Sequence, residues 1–313
     1  MPPGLALRRL VDDAVLRLRT GGLRLAGARD LPNGIQASFA SGDGTTCRLN
    51  FYHSSRKGFS VVPAGGDPAL SGRAEAILAG NPVVEGALGD GGSRIGSDEA
   101  GKGDYMGPLT VAAVFAPPSG AELLRAMGVA DSKRLADGRI RGLSREISGR
   151  RDLDVQVMAV APPEYNRRME SLSASGRNSL HLLAELHAGA VAALLARGAD
   201  PDRVVIDRFC PASRMRPLLP PGRYRLEMPV GGEADPVVAA ASILARNAYL
   251  EGLDAIANRW GMEAAAGAGA PTDLLAGAFV LRHGPGVLRE IAKLHFRNTE
   301  KILAPGCLTP RSL

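Results

Sequence analysis

Two adjacent carboxylates, Asp98 and Glu99, stand where an apolar approach, Arg94-Ile95-Gly96, meets a glycine-lysine-glycine triplet, Gly101-Lys102-Gly103. Paired acids of this kind suit a hard cation such as Mg²⁺, which takes oxygen ligands and keeps several waters. Neighbouring side chains on a regular strand point to opposite faces, so the two acids can serve one site only if the backbone turns there. Gly101 and Gly103 supply that freedom and let a phosphodiester come close to the backbone, with the charge of Lys102 beside it. Val111 to Phe115 then reads as a buried strand. An acid pair, a flexible basic loop and a buried strand are parts from which a metal-dependent phosphodiesterase can be built.

More acids follow downstream. Val204-Val205-Ile206 is an apolar strand that ends in Asp207, and strand ends are where α/β sheets place reactive groups. Taken alone, an aspartate there also fits a turn or a helix cap. Glu233 and Asp235 precede a run of small residues from Val237 to Ala245. Asp235 with Pro236 reads as a helix start, which leaves Glu233 free to point into a site. Four carboxylates could hold two Mg²⁺ ions about 4 Å apart around a phosphodiester. Spacing alone does not separate this from four unrelated surface acids.

The elements that would position these groups divide into two sets. From Arg94 on, the pattern predicts strands at 94–98, 109–116, 153–160, 203–207 and 223–228. It predicts helices at 119–127, 134–148, 163–171, 178–197, 235–256 and 284–293, and a loop at 261–270. This is an α/β layer fold on a mixed sheet. Residues 1–90 read as a separate module. An opening helix runs from Leu5 to Leu18, strands at 35–39, 45–52 and 59–62 follow, and a helix at 71–79 covers them. Gly86 to Ser93 reads as the linker to a domain spanning 91–313. Arg48, Arg56 and Lys57 near Phe51, Tyr52, His53 and Phe59 suit nucleic-acid contact, or equally a solvated face over a core.

The net charge of +6 modestly favours a polyanionic partner. Cys47, Cys210 and Cys307 are far apart and form no CxxC pair, so neither a disulfide framework nor a zinc site is expected, and a reducing cytoplasm fits. The start, Met1 to Leu5, lacks the pattern of a signal peptide, and no unbroken apolar run of about 18 residues predicts a membrane span. A monomer without membrane association is the expectation.

The run Gly96-Ser97-Asp98-Glu99-Ala100-Gly101-Lys102-Gly103-Asp104-Tyr105-Met106-Gly107-Pro108 resembles the opening motif of bacterial ribonuclease HIII, a type 2 ribonuclease H family. Further resemblance lies in Asp131-Ser132-Lys133, Asn178 with Leu180 to His187, and Val205 to Phe209. It continues in Ala239 to Arg246 and Lys293 to Thr299, in the family's order. The resemblance implies a ribonuclease H-like catalytic domain, a small N-terminal α+β domain like the TATA-binding protein, and a C-terminal helical segment. It implies an endonuclease that cuts the RNA strand of RNA–DNA hybrids and leaves 5′-phosphate and 3′-hydroxyl ends. Asp98, Glu99, Asp207 and Glu233 would be the catalytic acids and hold Mg²⁺ or Mn²⁺, two ions during catalysis. The gap from Glu233 to Ala239 is one residue shorter than in many relatives, which keeps Asp235 as an outside candidate. Gly101, Lys102, Gly103, Ser132, Lys133 and Asn178 would bind substrate. His187 reads as structural, while His295, Asn298 and Thr299 stay open between site and packing. Two alternatives remain: a ribonuclease HII-type enzyme preferring single embedded ribonucleotides, and a hybrid-binding protein without turnover.

Overall fold

The structure is a computed structural model describing residues 4–54, 58–78, 92–129 and 135–304. The chain forms two compact units, one of Met1–Gly89 with Pro229–Gly231 and one of Asp90–Met228 with Gly232–Leu313.

The first unit opens with helix α1 (Leu5–Thr20). Its Leu7, Val11, Ala14 and Leu18 recur at helical spacing and are buried against the sheet. Strands β1 (Arg24–Leu31), β2 (Gly34–Ala40), β3 (Thr46–Ser54) and β4 (Gly58–Gly66) form an antiparallel sheet in that order, and α2 (Pro68–Leu78) joins α1 on its inner face. The sequence pattern does not predict β1. It is an edge strand whose residues are almost all exposed, so it carries no apolar alternation to read. The sheet also sorts the rings. Phe51 is fully buried and stacks on Phe59, with centroids 6.0 Å apart, inside the core. These two rings are therefore core residues and not nucleic-acid contacts. The other face carries a polar row: Arg29 donates to Gln36, Gln36 to Asn50, and Asn50 to the Tyr52 hydroxyl. Arg56 and Lys57 lie outside the described residues.

The second unit centres on a five-stranded mixed sheet in the order β7-β6-β5-β8-β9. These strands are β5 (Arg94–Ala100), β6 (Leu109–Ala116), β7 (Asp154–Val160), β8 (Arg203–Ile206) and β9 (Arg225–Glu227). The hairpin-like pairs β5–β6 and β6–β7 are antiparallel, while β8 lies parallel to β5 and β9 parallel to β8. Helices α3 (Gly120–Ala126) and α4 (Asp137–Ser148) cover one face together with the 25-residue α8 (Pro236–Trp260). Helices α5 (Pro162–Ala174) and α6 (Ser179–Ala196) cover the other. A single turn, α7 (Ala212–Met215), lies between β8 and β9. Helix α6 is long and apolar enough to cross a membrane, with a mean hydropathy of 1.5, but half of it is buried against the sheet as a core helix.

The C-terminal segment departs from the sequence reading. The loop expected at 261–270 is followed by an unpredicted helix, α9 (Ala270–His283). Pro271 sits in its first turn, where proline starts a helix rather than breaks one. The helix expected at 284–293 is a 3₁₀ turn (Pro285–Val287) and a single turn, α10 (Leu288–Ile291), and α11 (Arg297–Leu303) follows. Of the expected linker, 86–91 lies outside the described residues, while Ser93 is fastened by bonds to Asp202.

Candidate active site

The site is organised by the period-two geometry of β5. Gly96 and Asp98 face α8, while Ile95, Ser97 and Glu99 face α6. Gly96 carries no side chain because a Cβ there would lie 2.5 Å from the backbone of Val237 and Val238. That close approach brings α8 against the strand and lets Ser242 reach Asp98. The expectation that the chain turns between the two acids is not met. The strand runs regularly to Ala100, and the turn comes at Gly101, with φ +82°. The two carboxylates lie on opposite faces of the strand end, which they reach from above and below.

Each acid is held in a different way. Asp98 is buried, accepts from the Glu99 amide at 2.8 Å, and has its pKa raised to about 7. Burial is the first cause, and the charges of Glu99 and Asp207 add to it. Glu99 moves the other way. Burial alone would raise it, but bonds from His187 and Lys102 outweigh that and hold it down. Lys102 Nζ is 3.0 Å from Oε1, and His187 Nε2 is 3.2 Å from Oε2. His187 is fully buried, its Nδ1 is 2.8 Å from Ser97 Oγ, and its ring stacks on Phe209. It is thus structural, as read, and its structural task is to orient Glu99. Its place on α6 opposite the acid pair was not legible from spacing.

Asp207 continues from β8, its amide bonded to Ser97 O, and its Oδ1 accepts from the Gly232 amide at 2.7 Å. Gly232 is required there, since a Cβ would sit 2.9 Å from Asp207 Cα. The 3₁₀ turn Gly232–Ala234 therefore places Glu233 one residue from the Asp207 contact. Its partly buried carboxylate makes no bond or ion pair to a described residue. Asp235 is fully engaged elsewhere. It caps α8 through Val237 N–H and pairs with buried Arg94 at 2.6 Å.

Among the described residues no three acidic, histidine or cysteine side chains are gathered closely enough to cage an ion. Glu99 is occupied by Lys102 and His187, and Asp207 by an amide. The donor set nevertheless fits a hard cation. Asp98, Glu99, Asp207 and Glu233 offer oxygen only, and the repulsion that adds to burial in raising Asp98 is what a cation would relieve.

The basic loop is built from below. A Cβ at Gly101 would lie 2.2 Å from the Pro108 carbonyl oxygen and against the Tyr249 ring, whereas one at Gly103 meets nothing within 4 Å. Gly101 thus shapes the turn, and Gly103 leaves open space. Lys102 lies half-exposed over the Phe209 ring, 5.7 Å from its centroid. Asn178 is exposed and caps α6: its Oδ1 accepts from Leu180 N–H and its backbone N–H donates to His181 Nδ1. Ser132 and Lys133 lie outside the described residues.

Sequence reasoning missed a buried clamp. Lys293 is fully buried, and its Nζ lies 2.6 Å from Gly107 O and 3.4 Å from both Met106 O and Pro108 O. Burial pushes its pKa down to about 7. Around it, Tyr105 bonds Thr299, Asp104 accepts from the Gly267 amide, and Asn298 bonds Ala268 O and Asp273. His295 packs on Tyr165 and Phe296. Asn298 and Thr299 are tied into this packing, while His295 stays exposed beside its ring contacts, and the segment from Gly261 to Leu303 holds the loop from Gly101 to Pro108.

A family model described as Ribonuclease HII matches residues 95–299, which include every described acid named above. Ribonuclease HIII of Streptococcus gordonii is 34% identical over 214 residues, covering 67% of this chain and 70% of that protein. The crystal structure of Bst-RNase HIII in complex with Mn²⁺ is 29% identical and superposes with a TM-score of 0.63, covering 95% of this chain and 96% of its own. Aquifex aeolicus RNase H3, at 18% identity and a TM-score of 0.53, shares the fold over 93% of this chain and 97% of its own. The chain belongs to the type 2 ribonuclease H family of endonucleases, on its ribonuclease HIII branch.

Proposed function

We propose that this endonuclease hydrolyses the RNA strand of RNA–DNA hybrids at a divalent-cation centre held by Asp98, Glu99, Asp207 and Glu233. The observation that carries the reading is the placement of Asp98 and Glu99 at the end of β5 beside Asp207 at the end of β8, where burial first and then the charges of Glu99 and Asp207 raise the pKa of Asp98. A buried carboxylate perturbed in this way by its neighbours points to a functional site, and its oxygen-only neighbours suit a hard cation. The Mn²⁺ bound by Bst-RNase HIII supports the same class of ion here. Two Mg²⁺ or Mn²⁺ ions would supply a deprotonated water and neutralise charge at the leaving oxygen, giving 5′-phosphate and 3′-hydroxyl products.

The chain's own residues do the rest. His187 and Ser97 fix the Glu99 carboxylate, and Ser242 fixes that of Asp98. Lys102 balances Glu99 in the free protein and, being half-exposed, can pass to a substrate phosphate. The open side of Gly103 admits the strand, and the 2′-hydroxyl is the group that distinguishes RNA. The polar row of the first unit's sheet suits contact with the hybrid's backbone. A monomer in a reducing cytoplasm completes the reading, consistent with unpaired Cys47 and Cys210.

Product mapping tests it. A long labelled hybrid should be cut at several internal positions of its RNA strand with Mg²⁺ or Mn²⁺, and not after chelation. Cutting confined to a duplex with one embedded ribonucleotide would assign the HII-type preference instead. Binding without any turnover in either metal would leave only a hybrid-binding protein.

A further inference from the structure

The connection from β8 to β9 carries five arginines, Arg208, Arg214, Arg216, Arg223 and Arg225, and no carboxylate between Asp207 and Glu227. Arg214, Arg216, Arg223 and Arg225 are exposed, and none makes an ion pair or side-chain hydrogen bond to a described residue. Elsewhere in this unit, surface arginines are mostly matched: Arg141 pairs with Asp254, Arg150 with Asp152, Arg167 with Glu164 and Arg197 with Asp154. A run of unmatched cations lowers stability through mutual repulsion, so its retention on a folded arm points outward to a polyanion.

The arm is compact and tied to the site. It starts at Asp207, and Met215, Leu219 and Tyr224 anchor it in the core beneath. The Tyr224 hydroxyl donates to Pro220 O and folds the tip back. Arg214 lies on the single turn α7, directly downstream of Asp207 and Phe209. Arg223 and Arg225 lie at the arm's far end, Arg225 on edge strand β9. The arm thus carries exposed cations from α7 to the sheet edge, and Lys102 lies over the Phe209 ring at its start.

We infer that this arginine arm is a second nucleic-acid contact surface, binding the sugar–phosphate backbone of the hybrid beyond the cut. The inference rests on the proposed hybrid substrate and goes beyond it: it assigns affinity to residues outside the acids, the glycine loop and the first unit. The arm supplies sequence-independent, salt-sensitive binding, because each neutralised phosphate releases counterions.

The test uses the full-length protein and a non-cleaved hybrid in Ca²⁺, with affinity measured over a salt series. The variant is Arg214→Gln/Arg216→Gln/Arg223→Gln/Arg225→Gln. The control removes the same charge from the matched sites, Arg141→Gln/Arg150→Gln/Arg167→Gln/Arg197→Gln. All eight side chains are on the surface, and thermal unfolding verifies that both variants fold. The arm variant should bind at least about tenfold more weakly at about 0.1 M salt. Its log K against log salt should be shallower by about two or more, at about 0.9 for each phosphate that is no longer neutralised. The control should bind less than about threefold more weakly, as expected where the removed charge was already matched within the protein. Equal weakening in the two variants, or parental affinity and slope in the arm variant, would overturn the arm as a contact surface. Failure of the parent protein to bind hybrid at all would remove the substrate reading beneath it.

Discussion

At the scale of single residues, Asp98 links function to stability with opposite signs. Its folded pKa is raised to about 7, above the ordinary carboxylate value. A raised acid favours the folded state while protonated, and that contribution is lost as pH climbs through the folded value. The metal-free protein should therefore lose stability between about pH 4 and 7. Asp98→Asn should flatten this fall and be more stable than the parent at about pH 8 by about 1 kcal/mol or more. The same change should cut hybrid cleavage at least about 100-fold, because it removes a cation-holding charge. Denaturant melts at several pH values without metal, paired with turnover in Mg²⁺, check both halves; an Asn variant that cleaves normally would remove Asp98 from the site. The two candidates for the fourth acid separate just as cleanly. Glu233→Gln should abolish most cleavage with little change in stability, since its carboxylate bonds to no described residue. Asp235→Asn removes a charge from the buried Arg94–Asp235 pair, which costs about 3–5 kcal/mol, well beyond the loss of a helix cap. A folded, inactive Asp235→Asn beside an active Glu233→Gln would reverse the assignment.

At the scale of elements, the strands bearing the acids were legible because they are buried, apolar and short, and the reading of β5, β6 and β8 agrees with the structure to within a residue or two. The positions of Asp98, Glu99 and Asp207 at strand ends followed from the same signal. What was not legible is what depends on contact across the chain. The engagement of His187 with Glu99 spans 88 residues, and the Arg94–Asp235 pair spans 141. The exposed edge strand β1 has no buried face, and Asn178 carries the same side chain whether it caps a helix or waits for substrate. Lys293 is the extreme case, since a lysine in a sequence reads as surface and this one is fully buried. Its three carbonyl partners sit on the chain just after the glycine loop. Lys293→Met should keep the volume but orphan those carbonyls, costing about 2 kcal/mol and loosening the loop. Hydrogen exchange at the amides of Tyr105 and Gly107 should quicken, and KM for hybrid should rise more than kcat falls. Unchanged exchange at both amides would show that the C-terminal segment does not hold the loop.

At the scale of the whole molecule, the proposed reading gives the chemistry to the second unit and part of the affinity to the first. The first unit brings no acid cluster to its sheet among the described residues. Its outward face is a ladder of amides, a guanidinium and a phenol that can hydrogen-bond but not hydrolyse. Its phenylalanines, which the sequence offered as stacking surfaces, are spent on the core. Any grip it has on a hybrid is therefore polar and ionic, and it should be read out by salt. A protein beginning near Gly91 keeps all four acids, the basic loop and the arginine arm, so it should retain some turnover at saturating hybrid. Its affinity should fall, and log K should depend less steeply on log salt because fewer phosphates are neutralised. Within the intact chain, Gln36→Ala and Asn50→Ala interrupt the ladder at its centre without touching the buried face. They should reproduce part of the affinity loss while leaving kcat within about twofold, a rate change of well under about 1 kcal/mol. The measurement is hybrid affinity in Ca²⁺ for the parent, the truncated protein and the ladder variants across one salt series. Equal affinity and equal slope in all of them would make the polar ladder an ordinary solvated face and leave binding to the catalytic unit alone.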